Sequence, residues 1–236
     1  MLLSELMKVI DYTEIINRTG LDATKTDVVS LCSDSRKVLA DSVFVCISGA
    51  LSDGHEYAAN AYSRNCRIFV AERNPGLPDD AFVIITKNTR IALAKLSAAF
   101  FGYPADELTV IGITGTKGKS TTAYYMRSIL NSFLAAQSKP QCAILSSIDN
   151  YDGVINEESH ITTPEVLELY QHFQNAYDSA ISHLVMEVSS QASFSDAHEI
   201  TCIPIIAANL HRVIRPEQSQ IWAVLRKEDS IQRLQY

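Results

Sequence analysis

Residues 108–121, Leu-Thr-Val-Ile-Gly-Ile-Thr-Gly-Thr-Lys-Gly-Lys-Ser-Thr, decide the fold of this chain. The apolar and β-branched residues at 108–114 predict a buried strand. A glycine-rich turn follows, and a helix is predicted from Lys119 to about Leu134. A strand, a glycine-rich loop and a helix in this order form a cradle for phosphate groups, because the loop N–H groups and the positive helix end face one point.

Each part of this loop has a role in nucleotide binding. Lys119 can reach the terminal phosphates and Ser120 can ligate Mg²⁺. The usual spacing, G-x-x-x-x-G-K-[ST], would place its first glycine at position 113, which is Ile113, so the loop is a variant. The alternative is a plain tight turn, which the order of strand, glycines, Gly-Lys-Ser and helix disfavours. The candidate ATP-binding residues are Gly115, Thr116, Lys117, Gly118, Lys119, Ser120 and Thr121.

A nucleoside triphosphate site needs a second anchor for Mg²⁺. Glu187 lies in the apolar run Leu184-Val-Met-Glu-Val188, within a predicted strand over 182–188. An acid at the carboxyl end of a parallel strand points into the crevice where ligands bind. The alternative is a solvated glutamate at a strand end, but the nearby phosphate loop favours the metal role. The residues alone therefore predict a nucleoside triphosphate site in which Lys119 contacts phosphate and Glu187 helps to hold Mg²⁺.

Strands alternate with helices along the chain, which predicts an α/β fold with mainly parallel sheets. The helix predicted over 89–101 ends at Gly102-Tyr-Pro104, so we predict two domains, 1–105 and 106–236. Further predicted strands cover 27–33, 42–47, 67–71, 81–85, 142–145 and 201–208, although Pro204 weakens the last, and further helices cover 55–65 and 164–177. Proline is expected in the first turn of the latter helix.

Composition excludes several classes of function. A net charge of -7 over 236 residues argues against a general nucleic-acid binder. No apolar run is long enough to span a bilayer, so no membrane role is expected. The five cysteines are scattered and form no C-x-x-C pair, which disfavours a metal site or a disulfide framework and fits a reducing cytoplasm. Small-molecule ligands are the expected partners.

Four motifs, spread over about residues 25–210, resemble those of the Mur ligase family. They are the loop 111–121, the segment Glu187-Val-Ser-Ser-Gln191, the segment Thr162-Thr-Pro-Glu165, and Ser33-Asp-Ser-Arg36 with the later Asp53-Gly-His-Glu56. The likeness is greatest to the UDP-N-acetylmuramoyl-tripeptide synthetases of that family. It implies a uridine-nucleotide-binding N-terminal α/β domain and a central phosphate-loop domain. It also implies ATP-dependent addition of L-lysine or meso-diaminopimelate to UDP-N-acetylmuramoyl-L-alanyl-D-glutamate in peptidoglycan precursor synthesis.

The resemblance implies ATP and Mg²⁺ as cofactors and Lys119 and Glu187 as catalytic residues. It also implies roles for other side chains. Ser35 would contact the UDP-sugar, with Asp34 and Arg36 beside it, although a polar turn explains these residues equally well. Thr162 and Thr163 would bind the sugar-peptide, where helix N-capping is the alternative. His55 would line the uracil pocket or be a structural histidine. The remaining residues implied are Ser189 and Ser190 for the substrate, Asn209 for ATP, and Lys227, if carbamoylated, for the metal.

The chain departs from the family pattern after about Phe194. His211-Arg-Val-Ile-Arg-Pro216 lacks the Asp-His pair expected after Asn209, and the context of Lys227 does not match. The central domain is expected to be incomplete, and the family's third domain is expected to be absent. A remnant that binds the UDP-sugar or ATP without ligation is the alternative to an enzyme. An unrelated phosphate-loop ATPase is a weaker alternative, which the Thr-Thr-Pro and Ser-Asp-Ser-Arg segments disfavour.

Overall fold

A computed structural model describes residues 1–49, 52–159 and 161–189, together with the backbone of three later strands at 205–207, 226–227 and 230–231. The chain divides into two compact units, Met1–Gly102 and Tyr103–Tyr236. Each unit has its own sheet, and the two are described separately.

The first unit is built on a five-stranded sheet of order β1-β5-β4-β3-β2. Strands β2 to β5 are parallel, and β1 runs antiparallel to β5 along one edge. The elements are α1 (Leu3–Met7), β1 (Tyr12–Asn17), β2 (Ser30–Cys32), β3 (Ser42–Val45), a 3₁₀ turn (Gly54–Tyr57), α2 (Ala58–Ser63), β4 (Ile68–Ala71), β5 (Phe82–Thr86) and α3 (Thr89–Phe100).

Apolar strands of this sheet are buried on both faces, as is usual for parallel sheets covered by helices. Every residue of β3, β4 and β5 is buried. Phe44 and Phe69 meet edge to face at the centre of the core, with ring centroids 6.1 Å apart. Helix α3 begins at Asn88, whose side chain accepts hydrogen bonds from the N–H groups of Arg90 and Ile91.

The second unit contains a six-stranded sheet of order β11-β6-β10-β7-β8-β9. Strands β11, β6, β10 and β7 are parallel, and β8 and β9 continue the sheet as an antiparallel hairpin. The elements are α4 (Pro104–Glu107), β6 (Thr109–Thr114), α5 (Lys119–Ala135), β7 (Ala143–Leu145), β8 (Asp149–Tyr151), β9 (Asn156–Glu158), α6 (Val166–Asp178), β10 (His183–Glu187), β11 (Ile205–Ala207), β12 (Arg226–Lys227) and β13 (Ser230–Ile231).

Parallel pairing brings the carboxyl ends of the central strands to one edge of the sheet. Glu187 at the end of β10 pairs in register with Ile113 of β6, and Met186 pairs with Leu145 at the end of β7. The segments that follow these strands therefore start side by side, which is where ligands bind in open α/β sheets.

The α/β fold with parallel-rich sheets is confirmed, and the structure corrects several local predictions. The sequence analysis missed α1, β1 and the hairpin strands β8 and β9. Pro164 does not lie in the first turn of α6, because that helix begins at Val166 with Glu165 as its N-cap. The strand predicted over 201–208 is described only at Ile205–Ala207.

The cysteines of the described residues are small core residues. Cys32, Cys46, Cys66 and Cys142 are all buried and free. Burial raises the pKa of the Cys46 thiol to about 12 and that of the Cys142 thiol to about 11, so neither is a reactive thiolate at neutral pH. Among the helices that the structure describes, none combines the length and apolar character needed to cross a membrane.

A buried carboxylate fixes the β8–β9 hairpin to α6. Asp152, in the turn of the hairpin, is fully buried. Its Oδ1 accepts the N–H groups of Val154 (2.9 Å) and Ile155 (2.6 Å). Its Oδ2 contacts His172 Nδ1 at 2.7 Å and accepts a hydrogen bond from Asn175 Nδ2 at 2.8 Å. The turn between β8 and β9 is thereby held against α6.

We predict that Asp152→Ala destabilises the second unit by roughly 2–4 kcal/mol, because several buried donors lose their acceptor. Burial would raise the pKa of Asp152, but hydrogen bonds from Ile155, Asn175 and His172 hold it below its ordinary 3.8. The stabilisation is therefore complete above pH 3.8 and declines as the pH falls through the lower, folded-state pKa. Urea unfolding followed by circular dichroism at pH 7 and at lower pH measures both effects.

Asp178→Ala is the matched control, since Asp178 is exposed and accepts one hydrogen bond, from Gln174. It should change the free energy of unfolding by less than about 0.5 kcal/mol. Equal stability of the Asp152→Ala variant and the wild type would contradict the anchoring role.

Candidate functional site

The loop between β6 and α5 has the backbone shape of a phosphate cradle. Gly115 has φ 151° and Gly118 has φ 76°, conformations that glycine adopts without strain. Gly118 is also the N-cap of α5, and no side chain caps this end of the helix. The N–H groups of the first turn are therefore left to an incoming anion, which the positive end of the helix attracts as well.

Lys119, the first residue of α5, folds back over this loop. Its Nζ donates a hydrogen bond to the carbonyl oxygen of Gly115 at 3.1 Å. The ammonium group therefore lies across the cradle that the loop forms, where it can exchange the carbonyl for a phosphate oxygen. Thr116 and Lys117 lie in this loop, and Thr121 lies in the first turn of α5.

A chain of polar contacts joins this loop to the end of β10. Ser120 Oγ lies 3.2 Å from Ser147 Oγ. Ser147 donates to Glu187 Oε1 from its backbone N–H (3.0 Å) and from its hydroxyl (3.2 Å). The two predicted Mg²⁺ ligands, Ser120 and Glu187, are thus brought together by a third residue.

Glu187 is not a solvated strand-end glutamate, because only 1% of it is exposed. Among the described residues its carboxylate forms no ion pair, and Ser147 donates both hydrogen bonds that its Oε1 accepts. A buried carboxylate without a positive partner is costly, so the site favours a cation.

The donor set fits Mg²⁺ better than a transition metal. Within the described ranges, no group of three or more histidine, cysteine or acidic side chains could hold a metal ion. One carboxylate, serine hydroxyls and a phosphate-binding loop remain. Mg²⁺ is commonly bound in this way, through one or two carboxylates and the phosphates of a nucleotide, while it keeps several waters.

Ser147 is the site residue that the sequence analysis missed. It lies in the turn directly after β7, which Ser146 shapes: the Ser146 hydroxyl accepts the N–H groups of Ile148 and Asp149, both at 3.1 Å. The sequence does show two serines directly after the strand predicted over 142–145. They could have indicated a site residue, because polar residues that follow parallel strands lie together at the carboxyl ends of those strands.

The Thr-Thr-Pro segment reaches the same edge, and Thr163 does not cap α6. No side chain caps that helix. Instead, the Thr163 hydroxyl donates to the carbonyl oxygen of Glu187 at 3.1 Å and accepts the N–H of Ser189 at 2.9 Å. Thr162 precedes it in the same segment. Ser190, Asn209 and the side chain of Lys227 lie outside the described residues.

The Ser33–Arg36 segment of the first unit forms a turn closed by an ion pair. Asp34 accepts the N–H of Arg36 at 2.9 Å and pairs with the Arg36 guanidinium through both carboxylate oxygens. These hydrogen bonds from Arg36 lower the pKa of Asp34 to about 2. Ser35, between them, is buried. Asp34 and Arg36 thus hold each other, which fixes the turn that carries Ser35.

His55 is held by the protein at both ring nitrogens. Its Nδ1 lies 2.6 Å from Asp53 Oδ1, and its Nε2 accepts the N–H of Glu72 at 3.0 Å. Since Nε2 is an acceptor, the ring proton is on Nδ1 and faces Asp53. This arrangement favours the structural alternative for His55 over a place in a uracil pocket.

Comparison with known proteins identifies similar sequences. Residues 113–209 match the family described as Mur ligase middle domain. A UDP-N-acetylmuramoyl-L-alanyl-D-glutamate–2,6-diaminopimelate ligase of Clostridium botulinum is 36% identical over 199 residues, which cover 82% of this chain and 38% of that relative. A UDP-N-acetylmuramyl-tripeptide synthetase of Lactobacillus delbrueckii subsp. bulgaricus is 36% identical over 174 residues, covering 72% of this chain and 33% of that relative.

The fold has a match among solved structures as well. A UDP-N-acetylmuramoyl-L-alanyl-D-glutamate–2,6-diaminopimelate ligase superposes with a TM-score of 0.65 at 16% identity, over 93% of this chain and 42% of that structure. The chain spans 38% and 33% of the length of the two curated relatives above. On the match of residues 113–209 to the family model and the 36% identity over 82% of its length, the chain belongs to the Mur ligase family.

Proposed function

We propose that this chain takes part in the ATP-dependent ligation of a diamino acid to UDP-N-acetylmuramoyl-L-alanyl-D-glutamate, a step of peptidoglycan precursor synthesis. The name of the Clostridium botulinum relative favours diaminopimelate over L-lysine as that amino acid. The observation that carries the proposal is the buried carboxylate of Glu187, which has no positively charged partner among the described residues. Ser147 hydrogen-bonds this carboxylate and also contacts Ser120, at the start of the helix that follows the loop.

The chemistry of carboxylate activation explains why these groups are needed. ATP transfers a phosphoryl group whose negative charge is spread over its oxygens, so catalysis is mainly positioning and electrostatic stabilisation. Lys119 and the N–H groups at the start of α5 would bind the phosphates. Ser120 and Glu187 would hold Mg²⁺, which neutralises phosphate charge when bound. Lys119 and Glu187 are the proposed catalytic residues, and Asn209 and Lys227 remain proposed contributors to ATP and metal binding.

We assign the two ligand classes to different units. The unit 103–236 would bind ATP and Mg²⁺, and Thr162, Thr163, Ser189 and Ser190 would lie near the sugar-peptide. The unit 1–102 would bind the uridine nucleotide, with Ser35 as the contact residue on the turn that Asp34 and Arg36 fix. Since ATP is a cytoplasmic substrate and the described cysteines are free, we propose a cytoplasmic location.

The first test is nucleotide binding. We predict that Lys119→Ala weakens the affinity for Mg²⁺·ATP by about a hundredfold, because a charge-assisted contact to phosphate is lost. Isothermal titration calorimetry of the full chain measures this, with circular dichroism to show that the fold is kept. Lys139→Ala, at an exposed lysine after α5, is the control and should bind Mg²⁺·ATP as the wild type does. Equal affinity of the Lys119→Ala variant would contradict the assignment of the loop.

The same preparation separates ligation from binding alone. The wild-type chain is incubated with ATP, Mg²⁺, UDP-N-acetylmuramoyl-L-alanyl-D-glutamate and either diamino acid, and mass spectrometry detects any tripeptide product. Product that depends on Lys119 supports ligation by this chain. Binding of both substrates without product supports the alternative of a binding protein.

Ser147 should matter only when Mg²⁺ is present. We predict that Ser147→Ala weakens Mg²⁺·ATP binding roughly three- to tenfold, because Glu187 loses one hydroxyl donor and keeps the backbone N–H. Calorimetry with and without EDTA measures the Mg²⁺-dependent part of the affinity. Ser132→Ala, which removes a hydroxyl that bonds only within α5, is the control. An unchanged affinity of the Ser147→Ala variant would show that Ser147 does not position Glu187.

Ser35 should affect the other ligand. We predict that Ser35→Ala weakens binding of UDP-N-acetylmuramic acid roughly three- to tenfold, through loss of one hydrogen bond, and leaves Mg²⁺·ATP binding unchanged. Calorimetry with each ligand provides both values. Ser63→Ala, at an exposed hydroxyl of the same unit, is the matched control. If the affinities for both ligands fell by the same factor, the result would instead indicate a general loss of folded protein.

A further inference from the structure

The hydroxyl of Thr163 is shared between two backbone groups of one strand end. A hydroxyl has one proton to donate and two lone pairs to accept. Thr163 gives its proton to the Glu187 carbonyl oxygen (3.1 Å) and accepts the Ser189 N–H (2.9 Å). The hydroxyl proton is already donated to Glu187. Thr163 could therefore donate to a substrate only if its hydrogen bond to the Glu187 carbonyl oxygen were broken.

Glu187 is fixed from several directions, and only one of them comes from the Thr-Thr-Pro segment. The ladder between β6 and β10 continues past it, where the Val188 N–H bonds the Ile113 carbonyl at 2.8 Å. Ser147 holds the carboxylate. Thr163 holds the backbone carbonyl of the same residue, and it belongs to residues 161–165, which precede α6.

We propose that Thr163 is a positioning residue that couples binding of the sugar-peptide to binding of Mg²⁺·nucleotide through the backbone of Glu187. This inference rests on the proposed function for the identity of the two ligands. A ligand that orders residues 161–165 fixes the Thr163 hydroxyl, and the hydroxyl fixes the strand end that carries the metal-binding carboxylate. By linkage, Mg²⁺·nucleotide strengthens sugar-peptide binding by the same factor.

This role differs from the direct substrate contact that the sequence motif implies. A residue that only contacts the sugar-peptide would, when altered, weaken that ligand alone. A positioning residue would, when altered, lower the cooperativity between the two ligands and weaken Mg²⁺·nucleotide binding, because Thr163 contacts the backbone of the residue that we propose to hold the metal.

The experiment measures a thermodynamic cycle on the full chain. Calorimetry gives the Kd of a non-hydrolysable ATP analogue with Mg²⁺, with and without saturating UDP-N-acetylmuramoyl-L-alanyl-D-glutamate, and the converse titration. For the wild type we expect each ligand to tighten the other by about fivefold or more, the lower end of usual coupling. For Thr163→Val, which keeps the side-chain shape and removes the hydroxyl, we expect a factor near one and weaker Mg²⁺·nucleotide binding.

Two variants control for chemistry and folding. Thr163→Ser restores the hydroxyl and should restore most of the coupling. Thr109→Val makes the same chemical change at an exposed position, the first residue of β6. This residue lies where the parallel strands begin, away from their carboxyl ends, so the variant should show the same coupling as the wild type. If Thr163→Val does not fold by circular dichroism, Thr163→Ala takes its place in the cycle.

The outcomes separate the inference from the proposed function. A wild type that binds neither ligand overturns the proposed function, and the inference with it. A wild type that binds both ligands without coupling overturns the inference alone. Retained coupling in the Thr163→Val variant, with weaker binding of the sugar-peptide only, also overturns it and assigns Thr163 to direct contact.

Discussion

The placement of one buried carboxylate governs the site of this protein. Glu187 ends a central parallel strand, is almost completely buried, and receives two hydrogen bonds from Ser147 and one at its backbone carbonyl from Thr163. These neutral donors orient the carboxylate but do not neutralise it. Among the described residues no cation faces this carboxylate, and Ser147 links it to the loop that we propose as the phosphate cradle. A divalent cation held there, as proposed above, would balance the charges of the carboxylate and of a bound phosphate.

The sheet makes this arrangement possible because its central strands are parallel. Three separate segments begin at the same edge: the phosphate loop after β6, the turn with Ser147 after β7, and the end of β10. The conformation of each segment has a local cause. Glycines shape the first, the Ser146 hydroxyl shapes the second, and the third is continuous with the sheet ladder. The hairpin after Ser147 is in turn anchored to α6 by Asp152, so the support of the site extends well beyond its own residues.

Much of this could be predicted from the sequence, because the strongest signals are local. The β6–loop–α5 unit contains its strand, glycines, lysine and helix in one continuous stretch, and the parallel sheet follows from alternating strands and helices. The contacts that the sequence did not predict are those between distant segments. Ser147 reaches Glu187 across 40 positions, and Thr163 meets it across 24. A threonine before a helix usually caps that helix. The residues around Thr163 therefore did not indicate that its hydroxyl donates to the Glu187 carbonyl oxygen. The strands β8 and β9 are short and polar, and they pair only because β7 offers an edge.

The polar strand β9 has a consequence for how the sheet can grow. All three of its residues, Asn156, Glu157 and Glu158, are exposed, and it forms one margin of the second sheet. Adjacent glutamates on a short margin repel an approaching strand and discourage the pairing that leads to aggregation. The apolar strand β11 forms the opposite margin among the described strands. Edge-to-edge pairing of the second sheet with another chain is therefore disfavoured at the β9 margin.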